Sequence, residues 1–337
     1  MSIKHLLFAS AAILFLAACN KTVTEPVQSQ FPEDGVMRFT TNLVDPTIAT
    51  TRASITGSDV NQNGQQFQVK IVNPTSAQYS YFNTVQFDGT EWTPVNRMLW
   101  QNDQQAITVT AAYKQDKTFS DNEFVNGANL TVAADQSTEA LLKQQDLLTM
   151  PTKTIANPSI EETLMQNGKL VINFYHALTK LDVTLDLGNE FYKVDPKLNN
   201  ASDITEFTIK GTNAGYQFKA METANENYGT VTATASTPAD ILANQCAFTA
   251  ATDADMHSYA TYEAIVVPQT IAEGTLTVSF KIGTRSFSWT NTEAFTLEQG
   301  KHYTLPLTVG YDTTTLSAHA FSVRAWEDQP GDNLGTE

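Results

Sequence analysis

Two cysteines among 337 residues exclude a framework of several disulfides. A basic surplus is also missing: 20 Lys and Arg face 36 Asp and Glu, a formal net charge of -16. Such an acidic surface repels phosphates and anionic lipid headgroups. Nucleic acid binding is excluded on that ground, and a domain lying flat on a membrane is disfavoured. The apolar run at residues 6–18 falls short of the ~20 residues a membrane-crossing helix requires. HExxH, GxSxG, a Walker loop and paired CxxC are all missing, which removes the common zinc-protease, serine-hydrolase, nucleotide-binding and zinc-ribbon signatures. There is no low-complexity block and no short tandem repeat.

What the chain does have begins at its first residues, MSIKHLLFASAAILFLAAC. Lys4 gives a short positive start, and residues 6–18 have the length of a signal-peptide core. The small Ala17 and Ala18 precede Cys19, and Leu16-Ala17-Ala18-Cys19 resembles the bacterial lipobox. In such signals the thiol is acylated and the peptide is cut before the cysteine. Residues 1–18 are therefore read as a lipoprotein signal peptide and Cys19 as the lipidation site, carrying palmitate-type acyl chains. Each buried methylene contributes ~0.8 kcal/mol, so two or more chains anchor stably. Cys246 then has no internal partner, and in "NQCAFTA" it reads as a small packing residue. Loss of Lys4 makes the mature chain one unit more negative.

The remainder is rich in Thr, Asn, Gln and aromatics, a β-favouring composition. Residues 20–34, "NKTVTEPVQSQFPED", read as a polar tether after the lipid. In "VMRFTTNLV", Met37, Phe39, Thr41 and Leu43 alternate with polar residues, as in a half-buried strand. A turn-rich loop with Arg52 follows. "QQFQVKIVN" sets Phe67, Val69 and Ile71 on one face, and residues 80–95 read as a hairpin turning at Asp88-Gly89. A helix is expected over residues 137–145, capped by Ser137 or Asp135. Strands are expected at 169–175 and 178–187, and more follow at about ten-residue spacing to the end of the chain. The fold class is all-β: two antiparallel β-sandwich domains in series, at residues 35–190 and 191–337.

Candidate chemistry is sparse. His176, His257, His302 and His319 show no ligand spacing, and His176 reads as a packed, hydrogen-bonded core histidine. "TDADMH" (Asp253, Asp255, His257) lacks the glycine and distal Glu of a calcium loop and reads as a solvated acidic turn. Trp92, Trp100, Trp289 and Trp326 read mainly as packing, with a sugar-stacking platform as the other possibility. Glu161-Glu162 has no second carboxylate to pair with for acid–base work. No catalytic residue, cofactor or metal site is expected, and the protein is read as no enzyme.

The ordered cues carry a resemblance. After the lipobox and tether come "VMRFTTNL", "TTRA", "MLWQNDQQAITVTAAY" and "QDLLTM". The strongest cue, "INFYHALTKLDVTLDL", is followed by "VVPQTI", "FTLEQGKHYTLPLTV" and "VRAWED". Together these resemble the fimbrillin-like lipoproteins of Bacteroidetes, subunits of type V pili. The resemblance implies two tandem transthyretin-like sandwiches and a cell-surface fimbrium at the outer membrane, held there through lipid on Cys19. It also implies an Arg-specific protease that cuts after the first strand. Here the matching site is Arg52, leaving Ala53 as the new N-terminus. Release of residues 19–52 would open a groove for a C-terminal segment of a neighbouring subunit. Either residues 320–326 or residues 305–309 could supply that segment. Donor and acceptor surfaces differ, so contacts run head to tail into a filament. The family includes shaft subunits, tip adhesins and anchors, and a host or bacterial surface ligand is a further partner class. The alternative is a monomeric outer-membrane lipoprotein that binds glycan or protein ligands.

Overall fold

Strand periodicity explains the architecture. The computed structural model describes residues 31–44, 55–195, 197–223, 229–234, 238–312, 316–318 and 321–326. The first half lays down β1 (Phe39–Leu43), β2 (Gln66–Val72), β3 (Tyr81–Phe87), β4 (Trp92–Pro94), β5 (Ile107–Tyr113), β6 (Ala128–Thr131), β7 (Leu148–Ile155), β8 (Met165–Gln166) and β9 (Lys169–His176). Along β2, Phe67, Val69 and Ile71 are fully buried, as their alternation requires. The sheet runs β1-β4-β3-β2-β5-β7-β9-β8, and β1 pairs with β9 as well. That extra pairing closes the sheet on itself. Its interior is filled by Met37, Phe39, Phe67, Val85, Trp92, Val109 and Phe174 among others.

The second half adds β10 (Thr179–Leu187), β11 (Ile204–Asn213), β12 (Gly215–Thr223), β13 (Gly229–Ala233), β14 (Pro238–Leu242), β15 (Asn244–Thr249) and β16 (Ser258–Val266). It continues with β17 (Gln269–Ile271), β18 (Thr277–Ile282), β19 (Arg285–Thr290), β20 (Phe295–Leu297), β21 (Lys301–Val309), β22 (Ser317–Ala318) and β23 (Ser322–Ala325). One sheet runs β15-β16-β10-β21-β22, with β23 also on β21. A four-stranded sheet, β14-β11-β18-β19, supplies the other side of the same core. Leu181, Val183, Leu185 and Leu187 of β10 meet Ile209, Val278 and Phe280 there. β17 and β20 form a two-stranded ribbon.

The halves share a third core. The sheet β13-β12-β6 draws β6 from the first half and β12 and β13 from the second. Phe119, Phe124, Ala177, Leu178, Phe218, Ile265 and Trp326 lie in one cluster there.

Several local expectations change. β10, placed by sequence in the first domain, pairs with β16 over Thr179–Leu187 and with β21, so its partners are all in the second half. The 80–95 hairpin closes Phe87 on Trp92, so its loop is the four residues from Asp88 to Glu91. Asp88 Oδ1 accepts from the backbone N–H of Thr90 and Glu91, and this Asx turn needs the longer loop. The helix spans Glu139–Gln145 with Thr138 as its cap. Asp135 is instead occupied by Ser137, whose N–H and hydroxyl both donate to it. β6, β14 and β15 were not anticipated.

Candidate functional site

Cys19, Arg52 and Ala53 lie outside the described residues. The ends flanking the Arg52 loop are both anchored. At the end of β1, Val44 N–H donates to Phe174 O at 2.9 Å. The chain is described again at Ile55, which is buried, and Thr56 then caps the helix Gly57–Val60.

β1 is held unequally on its two sides. Toward β9 it makes a continuous parallel ladder from Phe39↔Leu170 to Leu43↔Phe174. Its inward side chains follow the sequence alternation: Met37 and Phe39 are buried, and Leu43 packs against the same core. Phe39 lies 6.2 Å from Phe67, which lies 4.9 Å from Trp92. Thr41 Oγ1 donates to Asn61 Oδ1, which also accepts from Trp92 Nε1. On its other side β1 meets β4 only at Phe39↔Trp92. Pairing resumes at the Val36↔Leu99 bridge, where Met37 N–H donates to Met98 O. Between these points the 92–99 segment is longer than the 36–39 segment and loops away. A hollow of about 360 Å³ results, lined by Val36, Met37, Arg38, Trp92, Val95 and Arg97 among others.

Arg38, next to β1, is engaged. Its guanidinium donates to both oxygens of Asp34, at 2.9 and 2.6 Å. That charge-assisted pair holds the Asp34 carboxyl well below the usual carboxylate range.

The two candidate donor segments differ sharply. Residues 305–309 lie in β21, parallel to β10 along its length, with Leu305, Leu307 and Val309 buried in the core. A central strand of that kind cannot leave without opening the sandwich. Among the described residues β23 pairs only with β21, from Thr304↔Ser322 to Lys301↔Ala325, and Val323 is 51% exposed. Just beyond it, Trp326 is buried, its N–H donates to Gly300 O at 2.8 Å, and its ring stacks on His176 at 4.3 Å and 8°. His176 Nδ1 lies 2.8 Å from Asp146 Oδ2, which matches the packed, hydrogen-bonded histidine read from sequence.

The structure also explains the "HALTKL" run. His176, Ala177, Leu178, Lys180 and Leu181 are all buried where the chain passes from β9 to β10. Lys180 Nζ contacts Glu263 Oε1 at 3.0 Å, and Asp182 Oδ2 contacts His302 Nε2 at 2.7 Å. Sequence reasoning missed this buried ionic group. Its signal was a Lys and an Asp two apart within a run of strand residues.

The remaining candidates are structural. Asp253 Oδ1 accepts from Asp255 N–H in a local turn, and His257 turns to Asp186. Cys246 is half-buried with its Sγ 3.4 Å from Thr261 O, and burial pushes its thiol up, so it stays protonated. All four tryptophans are buried, in agreement with the packing reading, and are not available to stack on sugars.

Residues 51–326 match the model of the fimbrillin-like family. Among solved structures, a candidate cell adhesion protein of Bacteroides uniformis aligns with 87% of this chain and 100% of its own, at 16% identity and a TM-score of 0.55. A second, from Bacteroides ovatus, aligns with 88% of this chain and 98% of its own, at 14% identity and a TM-score of 0.53. No curated protein sequence matches. At these identities the structural likeness speaks for the fold alone, whereas the family match spans most of the sequence. The chain belongs to the fimbrillin-like family.

Proposed function

We propose that this protein is a structural subunit of a cell-surface fimbrium, or a related adhesin, made as a lipoprotein precursor and assembled by strand exchange. Lipid on Cys19 holds the precursor at the outer membrane. An Arg-specific protease cuts after Arg52, and residues 19–52, including β1, then leave. Departure of β1 removes a five-residue ladder and the buried Met37 and Phe39. Each such side chain contributes about 1.5–3 kcal/mol by burial, so the vacated groove is both apolar and rich in unpaired backbone groups. A C-terminal strand of a neighbouring subunit fills it, and the asymmetric contact repeats into a filament.

The observation that carries this reading is the closing role of β1. It is the first strand of the chain to be described, it seals the sheet through β9, and its far side is nearly unpaired. β23, an edge strand near the C-terminal end, suits the donor role better than β21. The family match also begins at Thr51, one residue before Arg52.

Mass spectrometry of the N-terminus from cell-surface material tests the proposal. Shaft or tip material is expected to begin at Ala53, and a retained anchor at acylated Cys19. An unmodified chain beginning elsewhere contradicts the pathway.

A further inference from the structure

β10 carries a buried ionic group that takes no part in the proposed exchange. Leu181 and Val183 face the core of the second-half sandwich, so Lys180 and Asp182 face the other way. Strand register brings two more groups to them. Asp182 lies opposite Glu263 of β16, and Lys180 lies opposite His302 of β21. All four side chains are shut from water: Lys180, Glu263 and His302 are 1% exposed and Asp182 6%. The third core lies on that side. Ile265, two residues beyond Glu263, belongs to it, and the Gln136 amide bonds both the N–H and the C=O of Ile265. Lys180 Nζ is 3.0 Å from Glu263 Oε1 and 3.9 Å from Asp182 Oδ1, and Asp182 Oδ2 is 2.7 Å from His302 Nε2.

An amine, a carboxyl group and a second acid in contact away from water have a condensation open to them. We propose that Lys180 and Glu263 join in an isopeptide, a side-chain amide that ties β10 to β16 covalently. A proton first passes from Lys180 Nζ to the Glu263 carboxylate, which leaves a neutral amine beside a neutral acid. The Nζ lone pair then attacks Cδ of Glu263, one bond beyond the oxygen that Nζ already contacts. The Nζ–Cδ bond forms, one Cδ–O bond breaks, and the departing hydroxyl takes a second proton from the nitrogen and leaves as water. Asp182 relays that proton, and His302 holds the Asp182 carboxyl in place. One ammonium and one carboxylate become one amide and one water, so atoms and charge balance. Two features favour the reaction. The paired strands hold the partners together, which replaces an encounter by a unimolecular step. The product also removes two charges from a site where each is destabilising unless fully compensated. Both strands follow Arg52 in the chain, so the cross-link is independent of the strand-exchange reading.

For the test, the purified mature chain is unfolded, digested with trypsin and read by peptide mass spectrometry. The expected product is a branched species that joins the Lys180 and Glu263 peptides, lighter than their sum by one water, with no cut after Lys180. Recovery of both peptides in linear form, with the chain cut after Lys180, overturns the proposal and leaves an ordinary buried ion pair. Asp182→Asn, scored on its folded fraction, is expected to slow formation of the branched species about a hundredfold in a time course from fresh synthesis. Formation at the wild-type rate in that variant overturns the relay assigned to Asp182. Lys180→Arg keeps a cation beside Glu263 but no amine to acylate. The branched species should vanish in it and the urea midpoint should fall, and a branched species that persists overturns the assignment of Lys180.

Discussion

Phe39 is the residue on which the closing strand depends most. It is buried against Phe67, and Phe67 touches Trp92 and Phe174, so Phe39 ties β1 into an aromatic cluster drawn also from β2, β4 and β9. Phe39→Ala is expected to lower the stability of the intact chain by about 3–5 kcal/mol in urea unfolding. In protein trimmed at Arg52 and filled by a donor, the same substitution should have no effect, because the residue has left. Asp59 gives a residue-scale pH dependence. Burial alone would raise its carboxyl, but hydrogen bonds from Thr56 and Lys143 outweigh that and bring it below its ordinary 3.8. A lowered folded-state value stabilises above the unfolded value and is lost as pH falls through the folded one. Asp59→Asn should therefore destabilise the protein at pH 7, and the gap from the wild type should shrink as pH drops below 3.8. Urea midpoints at neutral and acidic pH check both parts.

At the scale of elements, the strands divide by how they are held. β10 and β21 are central and paired on both sides, whereas β23 is bonded on one side and pinned at its end by Trp326. Amide exchange is expected to be slowest in β10 and β21 and faster in β23. Trp326→Ala should speed exchange in β23 specifically, since it removes the stack on His176 while leaving the Lys301–Thr304 ladder intact. The strands with strong alternation were legible in the sequence: β1, β2, β5, β9 and β21 all fall where Val, Ile, Leu and Phe recur at every second position. β6 and β14 escaped because Ala128 and Ala239 occupy buried positions and small residues weaken the pattern, and β15 because its one buried position is the polar Asn244. Pairing was less legible than existence. Nothing local in residues 179–187 says that they join strands about eighty and one hundred and twenty residues later, as Thr179↔Val266 and Lys180↔His302 do. The helix cap was a local misreading, in which Asp135 and Ser137 satisfied each other and left Thr138 to accept from Leu141 N–H.

Across the whole molecule, the closed sheet of the first half, the sandwich of the second half and the core they share are three clusters, and β1 contributes to the first of them. The third cluster joins the halves through Ala177, Leu178, Phe218 and Trp326, none of which lies in the segment proposed to leave. The candidate site was legible in part. The strand itself could be read from alternation, whereas the Arg52 loop lies outside the described residues. The hollow could not, because it arises from a length mismatch between two chain segments that meet only in space. In the proposed exchange the surface that loses β1 and the strand β23 offered to a neighbour are different, which is the asymmetry a head-to-tail polymer needs.

Limited cleavage of the purified mature chain with an Arg-specific protease, followed by sizing and electron microscopy, tests this account most directly. Wild-type protein is expected to lose residues 19–52 and form filaments, while Arg52→Ala protein keeps its first strand and stays monomeric. Trimmed wild-type protein that remains a stable monomer with an empty groove, or Arg52→Ala protein that polymerises as the wild type does, would contradict it.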